Sequence, residues 1–393
     1  MKKFLLIATT LFSLALALPL FQSATGRPSD YPLTGVEYSA PPPDLSLAAW
    51  WNGTLQSSFD AWINQRIGLR GYLVRTANQI NYSLFRELPR RSGTQVLLGR
   101  DGFLFEKVYV DAYNAGGQRP EAELQNISIS MRRLQDRLAA DGIAFLLVIA
   151  PSKAEIYPEY LPAAADVAGR PGRRSNYENL IEFLKQDGVN LVDSHELFLE
   201  WKREPGTPML FTKGGTHWNH YGAARVVARI MERLRKLTRK KLPMLQVVGV
   251  ETNHTILDTD NDLGELVNLW SGRPLAGPQI HPILKTRPGS YMPDFLFIGD
   301  SFVFPLTNLM DREQLYRRRD TYYYYNRHYF YPAEPNVVLD KHQLDLLKEL
   351  QGRDAVVIEV GEYWLPRIGF GFVRDLLKAY DALDAARAEP PKP

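Results

Sequence analysis

The sequence predicts an α/β fold: a mainly parallel sheet flanked by helices, with a helical extension at the N-terminus. Three observations predict it. Apolar runs of strand length end abruptly at turn residues, at 143–150 before Pro151, at 189–193, at 294–298 before Gly299 and at 355–360. Between them lie segments whose apolar residues step by three and four, one face of a helix. Finally, 45% of the 393 residues are hydrophobic and none is cysteine, so the core is large enough to form without disulfides.

The elements follow in order. Met1-Lys2-Lys3 and the apolar run up to Phe21 read as an export signal or an uncleaved anchor, residues 1–25. Ala15-Leu16-Ala17 offers a small-x-small cleavage pattern, and the run is just short of a full span. Residues 26–46, rich in proline, glycine and serine, read as a linker. One folded domain is expected over 47–381, with a flexible tail at 382–393. Residues 60–85 have a helical rhythm, and Arg100-Asp101-Gly102 turns a hairpin between two apolar runs. Leu124, Ile127, Met131, Leu134 and Leu138 mark the first helix of the main domain. Tyr177, Leu180, Ile181 and Leu184 mark the second. Ala224, Val227, Ile230, Met231 and Leu234 mark a third, over about 221–237. Strands alternating with such helices give a sheet covered on both faces. Sites on such sheets lie at the carboxyl ends of the strands.

Charge and composition narrow the function. The 47 basic and 44 acidic side chains leave a net charge of +3, which gives no case for a nucleic-acid partner. The absence of cysteine excludes thiolate zinc sites and a cysteine nucleophile. His217 and His220 have a spacing that could serve a metal, but no third ligand accompanies them, so no metal or cofactor is expected.

Gly299-Asp300-Ser301, directly after an apolar run, is the most informative local feature. A serine on a tight strand-to-helix turn stands clear of the sheet, where its hydroxyl can meet a carbonyl. A serine is a weak nucleophile until an imidazole takes its proton. His217, in Gly214-Gly215-Thr216-His217-Trp218-Asn219, is the candidate base. Trp218 and Lys153, the latter following Ala150-Pro151-Ser152, are candidate substrate contacts. Residues 316–331 interleave arginines with tyrosines; this reads either as a sugar-binding surface, with Asn326, Arg327 and Tyr325 as contacts, or as a strand pair with one tyrosine face buried.

In their order along the chain these segments resemble the SGNH-hydrolase-like domain of the alginate O-acetyltransferase family. The likeness covers about 60–365. It includes Leu98-Gly99-Arg100-Asp101-Gly102-Phe103, Ala150-Pro151-Ser152-Lys153 with Ile156-Tyr157-Pro158, Thr216-His217-Trp218-Asn219 and Gly299-Asp300-Ser301-Phe302. The histidine motif precedes the serine motif, as it does in that family. The resemblance implies an SGNH-hydrolase-like fold and a periplasmic or cell-surface enzyme that acetylates an exopolysaccharide through an acetyl-serine. Ser301 would be the nucleophile and His217 the general base. The Ser301 N–H, with Arg327 or Asn326, would stabilise the oxyanion. A polysaccharide acceptor and a membrane acyltransferase that delivers the acetyl group are the implied partners. One departure stands out: the family's aspartate two residues before the histidine is Gly215 here. Three readings follow. Another carboxylate, Asp193 or Glu359, reaches the ring; a backbone carbonyl orients a dyad; or the chain is a non-catalytic polysaccharide-binding scaffold. A polysaccharide acetylesterase is the close variant of the enzymatic reading.

Overall fold

The computed structural model describes residues 2–36, 39–89, 95–163, 174–271, 273–332 and 337–388, and the chain divides into two compact units. The first comprises residues 1–91 and 264–274. It contains the helices Lys2–Thr25, Leu47–Trp51, Thr54–Arg66 and Arg70–Phe85. Lys2–Thr25 is apolar and long enough to cross a membrane by length and composition. Within this unit the buried Arg75 guanidinium donates to the carbonyls of Leu269 (2.7 Å) and Pro32 (2.8 Å), and Asn78 donates to that of Val267. These bonds fasten the 264–274 segment to the helix Arg70–Phe85.

The second unit, residues 92–263 and 275–393, is built on a seven-stranded sheet. In chain order its strands are β1 (Val96–Leu98) and β2 (Leu104–Glu106), which form a separate hairpin across Arg100-Asp101-Gly102, then β3 (Ala144–Ala150) and β4 (Leu191–Asp193). After these come β5 (Met244–Asn253), β6 (Gln279–Arg287), β7 (Asp294–Gly299), β8 (Arg318–Tyr323), β9 (Arg327–Tyr331), β10 (Val337–Val338) and β11 (Ala355–Gly361). The sheet order is β10-β9-β8-β7-β11-β3-β4. The pairs from β8 to β4 are parallel, and β9 and β10 add antiparallel strands at one edge. β5 and β6 form a long antiparallel hairpin of their own, which the sequence reading did not anticipate.

The pleat divides the core in two. Leu146, Val148, Phe295, Phe297, Ala355 and Val357 pack on one side with the helix His220–Thr238. Phe145, Leu147, Ile149, Leu296, Ile298, Val356 and Ile358 pack on the other with the helices Glu121–Ala140, Asn176–Gln186 and Phe372–Ala388. Every strand residue named is essentially inaccessible to solvent, as a parallel sheet covered on both faces requires. Residues 316–331 form the antiparallel pair of β8 and β9. The helix Phe372–Ala388 continues into the stretch expected as tail, and residues 389–393 lie outside the described residues.

Candidate active site

The Ser301 turn leaves the carboxyl end of β7 and enters the helix Val303–Arg312. Gly299 makes the turn possible. A β-carbon there would meet Glu359 Oε2 and Val303 Cβ, each at 2.8 Å, so no side chain fits. Asp300 fixes the turn from beneath. One carboxylate oxygen accepts the Phe302 N–H (2.9 Å), and the other accepts the Gly361 N–H at the end of β11 (2.7 Å). Ser301 itself stays partly accessible, beside the Tyr324 phenol.

The His217 loop is held at both ends and in the middle. Phe211 and Trp218 form an isolated antiparallel bridge, and Asn219 caps the helix His220–Thr238 by accepting the Gly222 N–H (2.8 Å). Between them the buried Lys153 ammonium donates to the carbonyls of Thr212 (3.1 Å), Lys213 (3.2 Å) and Gly215. An ammonium has three protons, and this one has three acceptors. Burial nevertheless pushes Lys153 down to about 7, because the charged form has left water.

The two loops meet at Phe302. Its ring lies 4.6 Å from the His217 imidazole and 5.5 Å, edge-on, from the Trp218 indole. The residue next to the serine therefore packs on the histidine. His217 Nδ1 is hydrogen-bonded to Asp262 Oδ2 (2.7 Å). Asp262 Oδ1 accepts the N–H groups of Thr216 and Leu263, both at 2.8 Å. His217 Nε2 is buried and has no hydrogen-bond partner among the described residues. This leaves one ring nitrogen bound to a carboxylate and the other available to take a proton, the arrangement of a general base oriented by an acid.

Asp262 corrects the expectation for the acid. Asp193 instead accepts the Tyr177 hydroxyl and caps the helix Ser194–Arg203. Glu359 lies in β11 under the serine turn, next to Asp300, where burial pushes it well above the usual carboxylate range. Burial also raises Asp300, with opposing hydrogen bonds from Gly361 and Phe302. Glu106, which faces Asp262 and His217, is raised for the same first reason. The glycine at 215 now has a physical cause. A β-carbon there would lie 2.7 Å from Thr212 Oγ1 and 2.8 Å from the Thr259 carbonyl. The segment that fills the space an aspartate would need is the one that delivers Asp262.

The other expected contacts divide. Trp218 is buried between Phe198 and Phe302, so it supports the site and does not line it. Tyr325 is a core residue, 1% exposed, packed on Phe372 and Tyr322. Tyr324 takes the place expected for it. Asn326 and Arg327 sit exposed at the turn between β8 and β9. Asp262 was missed by sequence reasoning; its only local signal is the acidic run Asp258, Asp260, Asp262 ahead of a short helix.

Comparison with known proteins places the chain in a family. Residues 96–300 match the family described as ALGX: SGNH hydrolase-like domain, acetyltransferase AlgX. Over 207 residues the chain is 26% identical to the probable alginate O-acetylase AlgJ of Pseudomonas aeruginosa (strain PAO1), covering 52% of this chain and 49% of that protein. The chain thus spans about half the length of the curated relative it matches. Among solved structures, the O-acetyltransferase domain of Pseudomonas putida AlgJ is 21% identical, covers 70% of this chain and 93% of that one, and has a TM-score of 0.43. Pseudomonas aeruginosa AlgX is 17% identical, covers 72% and 67%, and has a TM-score of 0.42. The chain belongs to the AlgX-type family of SGNH hydrolase-like O-acetyltransferases.

Proposed function

We propose that this member of the family transfers acetyl groups to hydroxyls of an exopolysaccharide or cell-surface polysaccharide, outside the cytoplasm, through an acetyl-serine at Ser301. The observation that carries the proposal is the His217–Asp262 pair with its unpartnered Nε2, packed through Phe302 against the serine turn. His217 Nε2 takes the Ser301 proton as the hydroxyl oxygen attacks the donor's acetyl carbonyl. The new C–O bond forms, and the donor's leaving group departs with the proton that His217 returns. In the second half a sugar hydroxyl attacks the acetyl-serine. His217 accepts its proton and passes it to the Ser301 oxygen as the C–O bond to serine breaks. Asp262 orients the ring and stabilises its cation in both halves. The Ser301 N–H, at the start of a helix, faces the developing oxyanion, with Arg327 or Asn326 as second donor; such a donor is worth about 3 kcal/mol.

The apolar helix Lys2–Thr25 supports export, as a signal or as an anchor that keeps the enzyme at the membrane beside an acyltransferase that supplies the acetyl group. Alginate is the first acceptor to try, from the name of the curated relative. Asp262 supplies the carboxylate whose absence at Gly215 was the ground for a non-catalytic scaffold. The test is mass spectrometry of the protein after incubation with p-nitrophenyl acetate. A single acetyl group on Ser301, absent in Ser301→Ala and in His217→Ala, is expected. Unlabelled wild-type protein would overturn the proposal.

A further inference from the structure

Five aromatic rings form a closed succession around Ser301. Phe302 meets Tyr109 at 6.0 Å, Tyr109 meets Tyr363 at 6.1 Å, Tyr363 meets Trp364 at 4.8 Å and Trp364 meets Tyr324 at 5.7 Å. Tyr324 returns to the Ser301 hydroxyl. Two of the rings, Tyr109 and Tyr324, are close enough to Asp300 to feel its charge. The outer part of this collar is a ridge, residues 363–367, that follows β11. Tyr363 is 39% exposed, Trp364 is half-buried and Arg367 is exposed, with its guanidinium 5.8 Å above the Trp364 ring.

A hollow lies on each side of the ridge. The smaller, about 220 Å³, is bounded by Tyr109, Tyr177, Tyr363 and Trp364. The larger, about 980 Å³, begins at Tyr324 and runs between the helices Glu121–Ala140 and Phe372–Ala388. Pro366 and Arg367 line both. A path from one hollow to the other would cross the ridge at Pro366 and Arg367, with collar rings on both sides: Tyr109, Tyr363 and Trp364 in one hollow and Tyr324 in the other. A site for a small ester needs neither hollow.

We propose that this path binds the acceptor as a sugar chain that passes through the site, with its rings stacked on Tyr363 and Trp364 and its polar groups held by Arg367. The inference rests on the acetyltransferase reading above and assigns its acceptor site. The C–H face of a sugar ring packs on an aromatic ring as other apolar surface does, while its rim of hydroxyls needs donors and acceptors beside it. Tyrosine, tryptophan and arginine are also the residue types that carry most of the binding energy at protein interfaces. Two hollows on opposite sides of the ridge suit units on both sides of the acetylated one, so recognition falls on internal positions of a polymer.

The test uses the full chain, p-nitrophenyl acetate as donor, and an octasaccharide prepared from alginate alongside cellohexaose as acceptors. Trp364→Ala and Arg367→Ala are expected to weaken binding of at least one oligosaccharide by about tenfold, measured by calorimetry, while the rate of Arg367→Ala on p-nitrophenyl acetate alone stays within about twofold of wild type. Equal affinity in wild type and both variants would overturn the proposal, as would failure of wild type to bind either oligosaccharide. An equal loss of ester turnover and binding would also overturn it, since that marks a folding defect; Tyr363→Ala, at the most exposed ring, repeats the measurement with the least disturbance. Ring-dependent binding without acetyl transfer would leave this site standing and remove the catalytic reading instead.

Discussion

Among the histidine–carboxylate pairs of the sheet-based unit, His217–Asp262 and His195–Glu362 differ in what the rest of the imidazole faces. His217 bonds Asp262 through Nδ1, rests against Phe302 and leaves Nε2 without a partner. His195 bonds Glu362 through Nδ1 and lies face to face with Tyr177 at 4.1 Å. Glu362 also accepts the Ser152 N–H (3.0 Å), and it directly precedes the ridge at 363–367. The second pair thus joins the ends of β4 and β11, with Ser152 adding that of β3, and fixes the base of the ridge. The first pair faces the turn that carries the hydroxyl. A buried imidazole on a carboxylate is not in itself a catalytic base; what the ring packs against decides, the residue beside Ser301 for His217 and Tyr177 for His195.

The largest expected effects separate the pairs. Ser301→Ala and His217→Ala should each lower p-nitrophenyl acetate turnover by a factor on the order of 10⁴ or more. Asp262→Asn should cost about 10³ to 10⁴, because the wrong tautomer is then favoured. Glu362→Gln should leave turnover within a few-fold but lower stability by about 3 kcal/mol, since it leaves His195 without its charge partner. Ester kinetics beside thermal melts distinguish the two. Near-normal turnover in Asp262→Asn would sink the assignment of the acid.

The next effect tests the relocated carboxylate. Gly215→Asp restores the residue implied by the family resemblance, but the position has no room for it. Overpacking of this kind costs about 1–3 kcal/mol. The segment it displaces carries Asp262, and a misplacement of about 1 Å at a catalytic group can cost about a hundredfold. The expected result is a loss of turnover that Gly215→Asp combined with Asp262→Asn does not restore. Recovery in that double variant would mean that position 215 still accepts the acid.

These two sites also mark what the sequence could and could not disclose. The serine and histidine turns were legible because their signals are local: an apolar strand, a glycine, then the functional residue before a helix. The parallel core strands were legible for the same reason. Asp262 was not, since it lies 45 residues from His217 along the chain and is one of three aspartates in alternate positions. Only the fold chooses among them: Asp258 lies 3.2 Å from His220, and burial pushes Asp260 up to about 7. The tyrosine run misled for a different reason. Tyr324 and Tyr325 both adopt left-handed backbone, which breaks the alternation of a strand and sends Tyr325 into the core in place of Tyr324.

Lys153 gives a pH-dependent effect through the loop that carries His217. Lys153→Met leaves three loop carbonyls without their donor, at a cost of about 3 kcal/mol. The folded state releases the Lys153 proton near pH 7, whereas the unfolded chain keeps it to about 10.4. Between those values the unfolded state binds more protons, so this group makes stability rise with pH. The margin of wild type over Lys153→Met should therefore widen from pH 7 to pH 9 in urea melts. A constant margin would mean that the ammonium keeps its charge through its three carbonyls.

The smallest effect belongs to the second pair and has the opposite sign. Burial would lower His195, but the charge and hydrogen bond of Glu362 outweigh it, and the folded value lies above the ordinary one. The folded state thus holds a proton that the unfolded chain has lost. The stability this contributes is fully present below about pH 6.5 and disappears as pH rises through the folded value. Wild type should exceed His195→Gln by more at pH 5.5 than at pH 9, with the ratio of their p-nitrophenyl acetate rates flat over the same range. A rate ratio that follows the stability difference would show that His195 reaches the chemistry, and the distinction between the two histidines would then fail.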